Sequence, residues 1–140
     1  MTLITNAPGK IWLALKSRLS QWTECKVMMP NEIYSPSATQ TYVIVQNVGT
    51  EYGGPIPIQV ECGQPLSGFL NLSVMVPVDF GYDAHIGMAG RVADFFANNA
   101  AYTYQDITVR VNGRSRVLGN VSLNAPWNRC EVTVPWIAWG

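Results

Sequence analysis

Residues 67–78 read SGFLNLSVMVPV, and they decide the fold because their alternation is the clearest strand pattern in the chain. Leucine and valine recur at every second position from Leu70 onward, whereas the positions between them carry Asn71, Ser73 and Met75. A period of two places the two sets on opposite faces of a strand. One apolar face opposite a more polar face is typical of an antiparallel sheet with one side packed on the core.

Further strand and helix patterns flank this central strand on both sides. The last strand is predicted over 129–139, where RCEVTVPWIAW alternates in the same way. Other strands are predicted over 40–48, 58–62, 107–111 and 115–123, and helices over about 8–22 and 84–99. The Asn112–Gly113 dipeptide predicts a type I′ hairpin between two of these strands. We therefore expect an α+β domain, with a single antiparallel or mixed sheet of about four to six strands and two helices packed on one face.

The helix boundaries are predicted from capping residues and from apolar spacing. In the first helix, Pro8 suits the first turn, and Trp22 is the last member of an apolar face at helical spacing. In the second helix, Asp83 is expected to cap the amino terminus and Asn98–Asn99 to end the helix. Residues 28–39 contain two prolines and are expected to form an irregular connection.

Residues 49–58 read GTEYGGPIPI and predict an exposed loop between two strands. Prolines at alternate positions lack the N–H groups that a central strand needs for its hydrogen bonds. Exposed loops often carry binding residues, so Tyr52, Pro55 and Ile56 are interface candidates. The 140 residues suit one domain that spans positions 1–140.

The composition indicates a protein that covers part of its surface with partners. Hydrophobic residues make up 48% of the chain and charged residues only 13%, against about 25% in an average soluble domain. Five Trp and six Tyr supply the large amphipathic side chains that are enriched at interfaces. The formal net charge is zero and the basic residues are scattered, which excludes the electrostatic footprint of a nucleic-acid-binding domain.

The sequence carries no motif for catalysis, for a cofactor or for a metal. Cys25, Cys62 and Cys130 lie far apart without metal-ligand spacing, so we expect three small thiols in a reducing compartment. The single histidine, His85, is expected at the surface or at a helix cap. The sequence contains no P-loop, no dinucleotide-binding fingerprint and no nucleophile–base set, so we do not expect an enzyme. A signal-peptide pattern and a bilayer-length apolar run are both missing, which predicts a soluble compartment.

Two further groups of residues are candidates for contacts with partners. Arg110, Arg114 and Arg116 surround the predicted hairpin, where Arg110 and Arg116 are expected to lie near each other. They either form a solvated edge that discourages strand addition, or contact a partner subunit or passing DNA. Trp136 and Trp139 place large apolar groups on both faces of the last strand. Either one Trp closes the core under the first helix, or another subunit covers the second face.

The order and spacing of three segments resemble the small tail terminator (tail completion) proteins of long-tailed bacteriophages. The first segment is PNEIYSPSATQTYVIVQNV, and the second is QVECGQPLSGFLNLSVMVPVDFGYDAHIGMAGRVADFF, where a strand ends in a turn and leads into a helix. The third is RCEVTVPWIAW, which is similar to the aromatic-rich last strand of many such proteins. Together they span about residues 30–139.

The resemblance implies a structural virion protein in the tail or neck region, made in the cytoplasm of the host bacterium. Such proteins assemble as six-membered rings on the last ring of the major tail tube protein, stop tube growth and offer a surface to the head-side connector. By this resemblance DNA passes through the lumen without specific binding, and neither a cofactor nor a membrane is involved. The alternatives are another head–tail joining or tail-tube subunit and, in a different class, a monomeric binding or adaptor module.

Overall fold

The computed structural model of the protein describes residues 3–4, 6–30, 40–52, 60–61, 66–77, 80–118 and 127–139. The helices are α1 (Ala7–Leu19) and α2 (Gly81–Phe95). The strands are β1 (Leu3–Ile4), β2 (Lys26–Met28), β3 (Tyr42–Tyr52), β4 (Val60–Glu61), β5 (Leu66–Pro77), β6 (Ala101–Tyr104), β7 (Ile107–Val111), β8 (Arg116–Leu118) and β9 (Trp127–Trp139).

The three longest strands, β3, β5 and β9, form the centre of the main sheet. The strand order is β2-β3-β5-β9-β7-β6, and β8 also pairs with β9. The β2–β3 pair is parallel, whereas the other pairs of this sheet are antiparallel. The predicted α+β class is therefore confirmed, and the sheet is of the mixed type that the prediction allowed. A separate two-stranded pairing of β1 with β4 was not predicted.

The core lies between this sheet and the two helices, which pack on the same face. Ile11 and Leu15 of α1 and Ala89 and Val92 of α2 belong to one buried cluster with the strands. The strand side of that cluster consists of the alternating residues Leu70, Leu72, Val74, Val76, Cys130, Val132, Val134, Trp136 and Ala138. Burying a large aliphatic side chain contributes roughly 1.5–3 kcal/mol, so this shared face is the main source of stability.

Arg18 links α1 to the end of α2. Its guanidinium donates hydrogen bonds to the Phe95 carbonyl from Nη2 at 2.8 Å and from Nε at 3.2 Å. The guanidinium carbon also lies 3.7 Å from the centroid of the Phe95 ring. The cation thus satisfies a carbonyl at the carboxyl end of α2, where the helix dipole favours positive charge.

Both helices end earlier than the sequence pattern predicts. Ser20 caps α1, and its Oγ donates a 2.8 Å hydrogen bond to the Lys16 carbonyl. Trp22 therefore lies beyond the helix, and its ring packs edge-on against Phe95 at a centroid distance of 5.1 Å. The second helix starts at Gly81, which places Asp83 in its first turn and not at the cap.

β3 continues to Tyr52 instead of ending at residue 48, so the predicted loop over 49–58 begins too early. Its residues 49–52 pair with β5, and the remainder of that loop, 53–58, lies outside the described residues. The close approach of the two strands explains the extension. A methyl group at Gly68 would overlap the carbonyl oxygen of Gly49, so glycine at position 68 permits this pairing.

The predicted hairpin at Asn112–Gly113 is wrong. Of these two residues only Gly113 has a positive φ, 112°, whereas a type I′ turn requires positive φ at both. The Asn112 N–H donates to the Pro135 carbonyl at 2.9 Å, which keeps the chain on the edge of β9. As a result β7 and β8 follow each other along β9 and do not pair with each other.

The sequence analysis also missed the short strands β2 and β6. β2 ends at the residue where an irregular connection was expected to begin, and its strand conformation is stabilised by parallel pairing with β3. β6 pairs with β7 across a two-residue turn in which Gln105 has a φ of 52°. Strands of three and four residues carry too few alternating positions for a periodic signal, so tertiary pairing determines them.

The second half of β5 is buried on both faces, which corrects the expectation of one polar face. Ser73 is 1% exposed and Met75 is 6% exposed. Met75 pairs with Tyr42, whose ring packs edge-on with Trp127 at a centroid distance of 5.4 Å. The expected polar face therefore exists only in the first half of the strand.

Candidate functional site

The surface opposite the helices, which we call the outer sheet face, is formed by alternate residues of β5, β7, β8 and β9. Two large apolar side chains are exposed there. Phe69 on β5 is 45% exposed, and Leu118 on β8 is 57% exposed. The register pairs Phe69 with Pro135 and Leu118 with Glu131, which places both on the side of β9 that faces away from the core. Exposed apolar groups beside polar neighbours are typical of interaction surfaces.

A groove of about 370 Å³ runs over β9 on this face. Thr133 and Pro135 form its floor, Phe69 lines one side, and Arg114 and Arg116 line the other. Asn71 also lines the groove, and its Oδ1 accepts a 3.2 Å hydrogen bond from Thr133 Oγ1. The groove therefore combines an apolar side, a polar floor and a positively charged side.

Arg110, Arg114 and Arg116 are all exposed, and none forms an ion pair with another described residue. The guanidinium carbon of Arg110 lies 4.9 Å from the centroid of the Trp139 ring, a cation–π contact. Arg110 pairs with Ile137 and Arg116 with Thr133. These partners are four residues apart along β9, so the two arginines lie about 14 Å apart and are not neighbours across a turn, as the hairpin prediction had placed them.

The two tryptophans of the last strand have different environments. Trp136 is 1% exposed and lies in the core against Gly68, so it corresponds to the Trp that closes the core. We therefore do not propose Trp136 as an interface residue. Trp139 is half-buried on the outer sheet face, where its ring contacts the Arg110 guanidinium.

The loop candidates are only partly within the described residues. Tyr52 is the last residue of β3, where its backbone pairs with Leu66. Pro55 and Ile56 lie outside the described residues. These three positions remain interface predictions.

A second exposed surface, which we call the α2 outer face, lies on the far side of the helix layer. Asp83, Gly87, Gly90 and Asp94 follow each other at helical spacing, about 160° around the helix from the buried side chains His85, Ala89, Val92 and Phe96. Both aspartates are exposed, and the ion pairs of the described chain include neither of them. This surface therefore has one carboxylate at each end, and between them two glycines that have no side chains.

A larger depression of about 670 Å³ separates α2 from the β7–β8 connection. Gly90, Ala93 and Ala97 line one side of it, and Ser115 and Val117 line the other. Arg114 lines both this depression and the groove on β9, so it marks the boundary between the two surfaces.

His85 is fully buried on the inner side of α2, which corrects the expectation of a surface or capping residue. Burial lowers its pKa, and a hydrogen bond with the Arg129 backbone opposes that shift. His85 lies at helical spacing with the apolar residues of the buried face of α2. The sequence pattern missed it because a polar residue was not counted as part of that face. A buried neutral imidazole in this layer contributes to packing and does not reach solvent-borne substrates.

We expect the stability of the protein to fall as the pH falls below about 6.5, because of His85. The folded state holds this imidazole neutral below its ordinary pKa of about 6.5, whereas the unfolded chain takes up the proton. The stabilisation is therefore complete above pH 6.5 and is lost at no more than about 1.4 kcal/mol per pH unit below it. Thermal unfolding at several pH values measures this slope, and His85→Gln should flatten it. An equal slope in both proteins would contradict the assignment.

Neither the cysteines nor the acidic residues build a reactive or metal-binding centre in the described ranges. Cys25 is half-buried, and Cys130 is fully buried with its thiol donating a 3.3 Å hydrogen bond to the Leu118 carbonyl. Burial raises the pKa of the Cys25 thiol, which keeps it in its unreactive form. The third cysteine, Cys62, lies outside the described residues.

No cluster of described His, Cys, Asp or Glu side chains could hold a metal ion. Neither described helix has the length and apolarity needed to cross a membrane.

The sequence analysis missed Phe69, Asp83 and Asp94 as surface features. Phe69 offered a signal, since it is a large apolar residue at the polar phase of the central strand. The sequence analysis did not recognise that the two aspartates share one helix face, because it assigned Asp83 to the helix cap. In contrast, Arg110 and Arg116 were named as contact candidates from the sequence, and both are exposed.

Comparisons with known proteins agree with this architecture. A family model described as phage tail terminator protein matches residues 10–136 of the chain. A solved structure matches with a TM-score of 0.71 at 15% sequence identity, covering 96% of this chain and 97% of the other. At that identity the likeness shows the fold alone. No curated protein matches the chain.

Proposed function

Since this chain belongs to the phage tail terminator family, we propose that it forms a ring of six copies that caps the tail tube. The ring binds the last ring of the major tail tube protein, stops its polymerisation and offers its other side to the head-side connector or stopper protein. The family membership over residues 10–136 is the observation that carries this proposal.

The surface of the chain supports an assembly role. A closed ring of identical copies needs two different surfaces on each subunit, because each copy contacts one neighbour with each. The outer sheet face and the α2 outer face are two such surfaces, one on the sheet and one on the helix layer, with Arg114 at the boundary between them. Phe69 and Leu118 give the outer sheet face exposed apolar area that a neighbour covers.

The mechanism that we propose is capping by shape, without a chemical step. A growing tube end exposes unsatisfied surface, and a ring that satisfies it while presenting a different upper side ends growth. DNA passes through the lumen without specific binding, and the zero net charge of the chain suits a channel that does not hold DNA. The protein is made in the host cytoplasm and acts in the neck of the virion.

Particles assembled without this protein test the proposal. We expect overlong tail tubes of variable length in electron micrographs, and a return to uniform length when the wild-type protein is supplied. Tubes of normal length that fail to join heads would instead indicate a head–tail joining protein. Unlimited polymerisation of the purified protein would indicate a tube subunit, and a monomer that never enters virions would indicate a binding module.

A further inference from the structure

We propose that neighbouring copies in the ring contact each other by placing the α2 outer face of one copy in the groove of the outer sheet face of the next. This inference rests on the proposed ring and names the surfaces that close it. The occupant of the groove is thus a second copy of this chain, bound through Asp83, Gly87, Gly90 and Asp94.

The groove lies above β9, between side chains of the two adjacent strands. Phe69 on β5 and Arg116 on β8 flank it, and the backbones of these strands are two strand spacings apart, or about 9–10 Å. A helix that presents glycine to the groove brings its backbone to the surface, with Cα atoms only about 2.3 Å from the helix axis. The floor is formed by Thr133 and Pro135, and a helix that presents Gly87 and Gly90 to it can approach the strand closely.

The charges of the two surfaces match in sign and in spacing. Arg110 and Arg116 lie about 14 Å apart along β9, as their register partners show. Asp83 and Asp94 are eleven residues apart in α2, which is three turns or about 16 Å. All four side chains are exposed, and none has an ion-pair partner among the described residues. Two arginines can therefore meet two aspartates across one contact.

The placement of these charges also favours a head-to-tail arrangement. The chain has zero net charge, yet Arg110 and Arg116 lie on the outer sheet face, whereas Asp83 and Asp94 lie on the α2 outer face. Arg114 lies between the two surfaces, since it lines one depression together with Asp94. Two copies that meet by the same surface bring like charges together, whereas copies that meet by opposite surfaces pair unlike charges. Repeated contacts of the second kind generate rings.

A charge exchange between two variants tests this contact. The sheet-face variant carries Arg110→Glu and Arg116→Glu, and the helix-face variant carries Asp83→Lys and Asp94→Lys. Each variant alone juxtaposes like charges at every contact, so we expect about a 100-fold or greater loss of ring formation. In a 1:1 mixture every contact again pairs opposite charges, provided that the variants alternate, so even-numbered rings should return.

The measurement is the mass of the assemblies by sedimentation velocity, free and on purified tail tubes, with Lys16→Glu as the control. Lys16 is exposed on α1, a helix that contributes to neither surface, so its reversal should leave the rings intact. Recovery in the mixture also shows that both variants are folded. The inference is overturned if either variant forms rings as the wild type does, or if the mixture stays dissociated. A wild-type protein that forms no ring under either condition overturns the proposed function itself.

Discussion

Gly68→Ala should destabilise the protein by about 3 kcal/mol or more, a decrease in Tm of roughly 10 °C for a domain of this size. The added methyl group would overlap the carbonyl oxygen of Gly49 in the neighbouring strand and would lie 2.6 Å from Cζ2 of Trp136. Relief of the first contact requires movement of the β3 backbone, and relief of the second requires movement of an indole ring that is 1% exposed. Neither group has free space, so the strain remains in the folded state.

Gly90→Ala is the matched control for this substitution. Gly90 lies within α2, and an added methyl group there would meet no atom within 4 Å. Alanine is favoured over glycine in a helix by about 1 kcal/mol, so this variant should be as stable as the wild type or more stable. Chemical unfolding of both variants gives the comparison. A Gly68→Ala protein with wild-type stability would show that β3 and β5 do not approach each other as closely as described.

Trp136→Ala should destabilise the protein by about 3–5 kcal/mol, because it removes the largest fully buried side chain of the core. The indole packs over Gly68 on the central strand, which has no side chain of its own to fill the volume that the indole would leave. Its Nε1 is buried without a hydrogen-bond partner among the described residues. Trp136→Phe removes this unsatisfied donor and retains most of the ring, so it should cost much less than the alanine variant.

Trp139→Ala serves as the control for the last strand. Trp139 is half-buried on the outer sheet face, where its described ring contact is the Arg110 guanidinium. Loss of a cation–π contact and of partial burial should cost about 1 kcal/mol, while leaving the core intact. Urea unfolding of the purified variants measures the three differences. If the alanine variants at 136 and 139 were equally stable, the assignment of one Trp to the core and the other to the surface would be wrong.

Gly68 and Trp136 also belong to one packing unit, so their substitutions should not be additive. In the double variant the smaller side chain at 136 removes the clash with the indole, although the overlap with the Gly49 carbonyl remains. Residues in direct contact commonly show interaction energies of about 0.5–3 kcal/mol. The double variant should therefore lose less stability than the two single variants together.

The sequence alone determined the α+β class, the central strand and the last strand. Alternation over eleven or more residues gives several independent positions that agree on which residues share a face. Leu70, Leu72, Val74 and Val76 were therefore assigned correctly to the core, and the last strand was correctly predicted to alternate. The resemblance to tail terminators likewise came from patterns that are visible along the chain, whereas the absence of catalysis stays a prediction. That resemblance agrees with the family model over residues 10–136.

Tertiary structure decided what local patterns do not encode. The Asn112–Gly113 signal was overridden because the Asn112 N–H finds its acceptor on Pro135 of β9, a strand that lies far along the chain. His85 is buried because α2 lies against β5 and β9, and Trp136 and Trp139 are distinguished only by which side of the sheet the helices cover. The arginine and aspartate surfaces arise in the same way, since contacts between distant segments determine which side chains remain exposed. A local pattern assigns residues to faces, and only packing determines which face meets solvent.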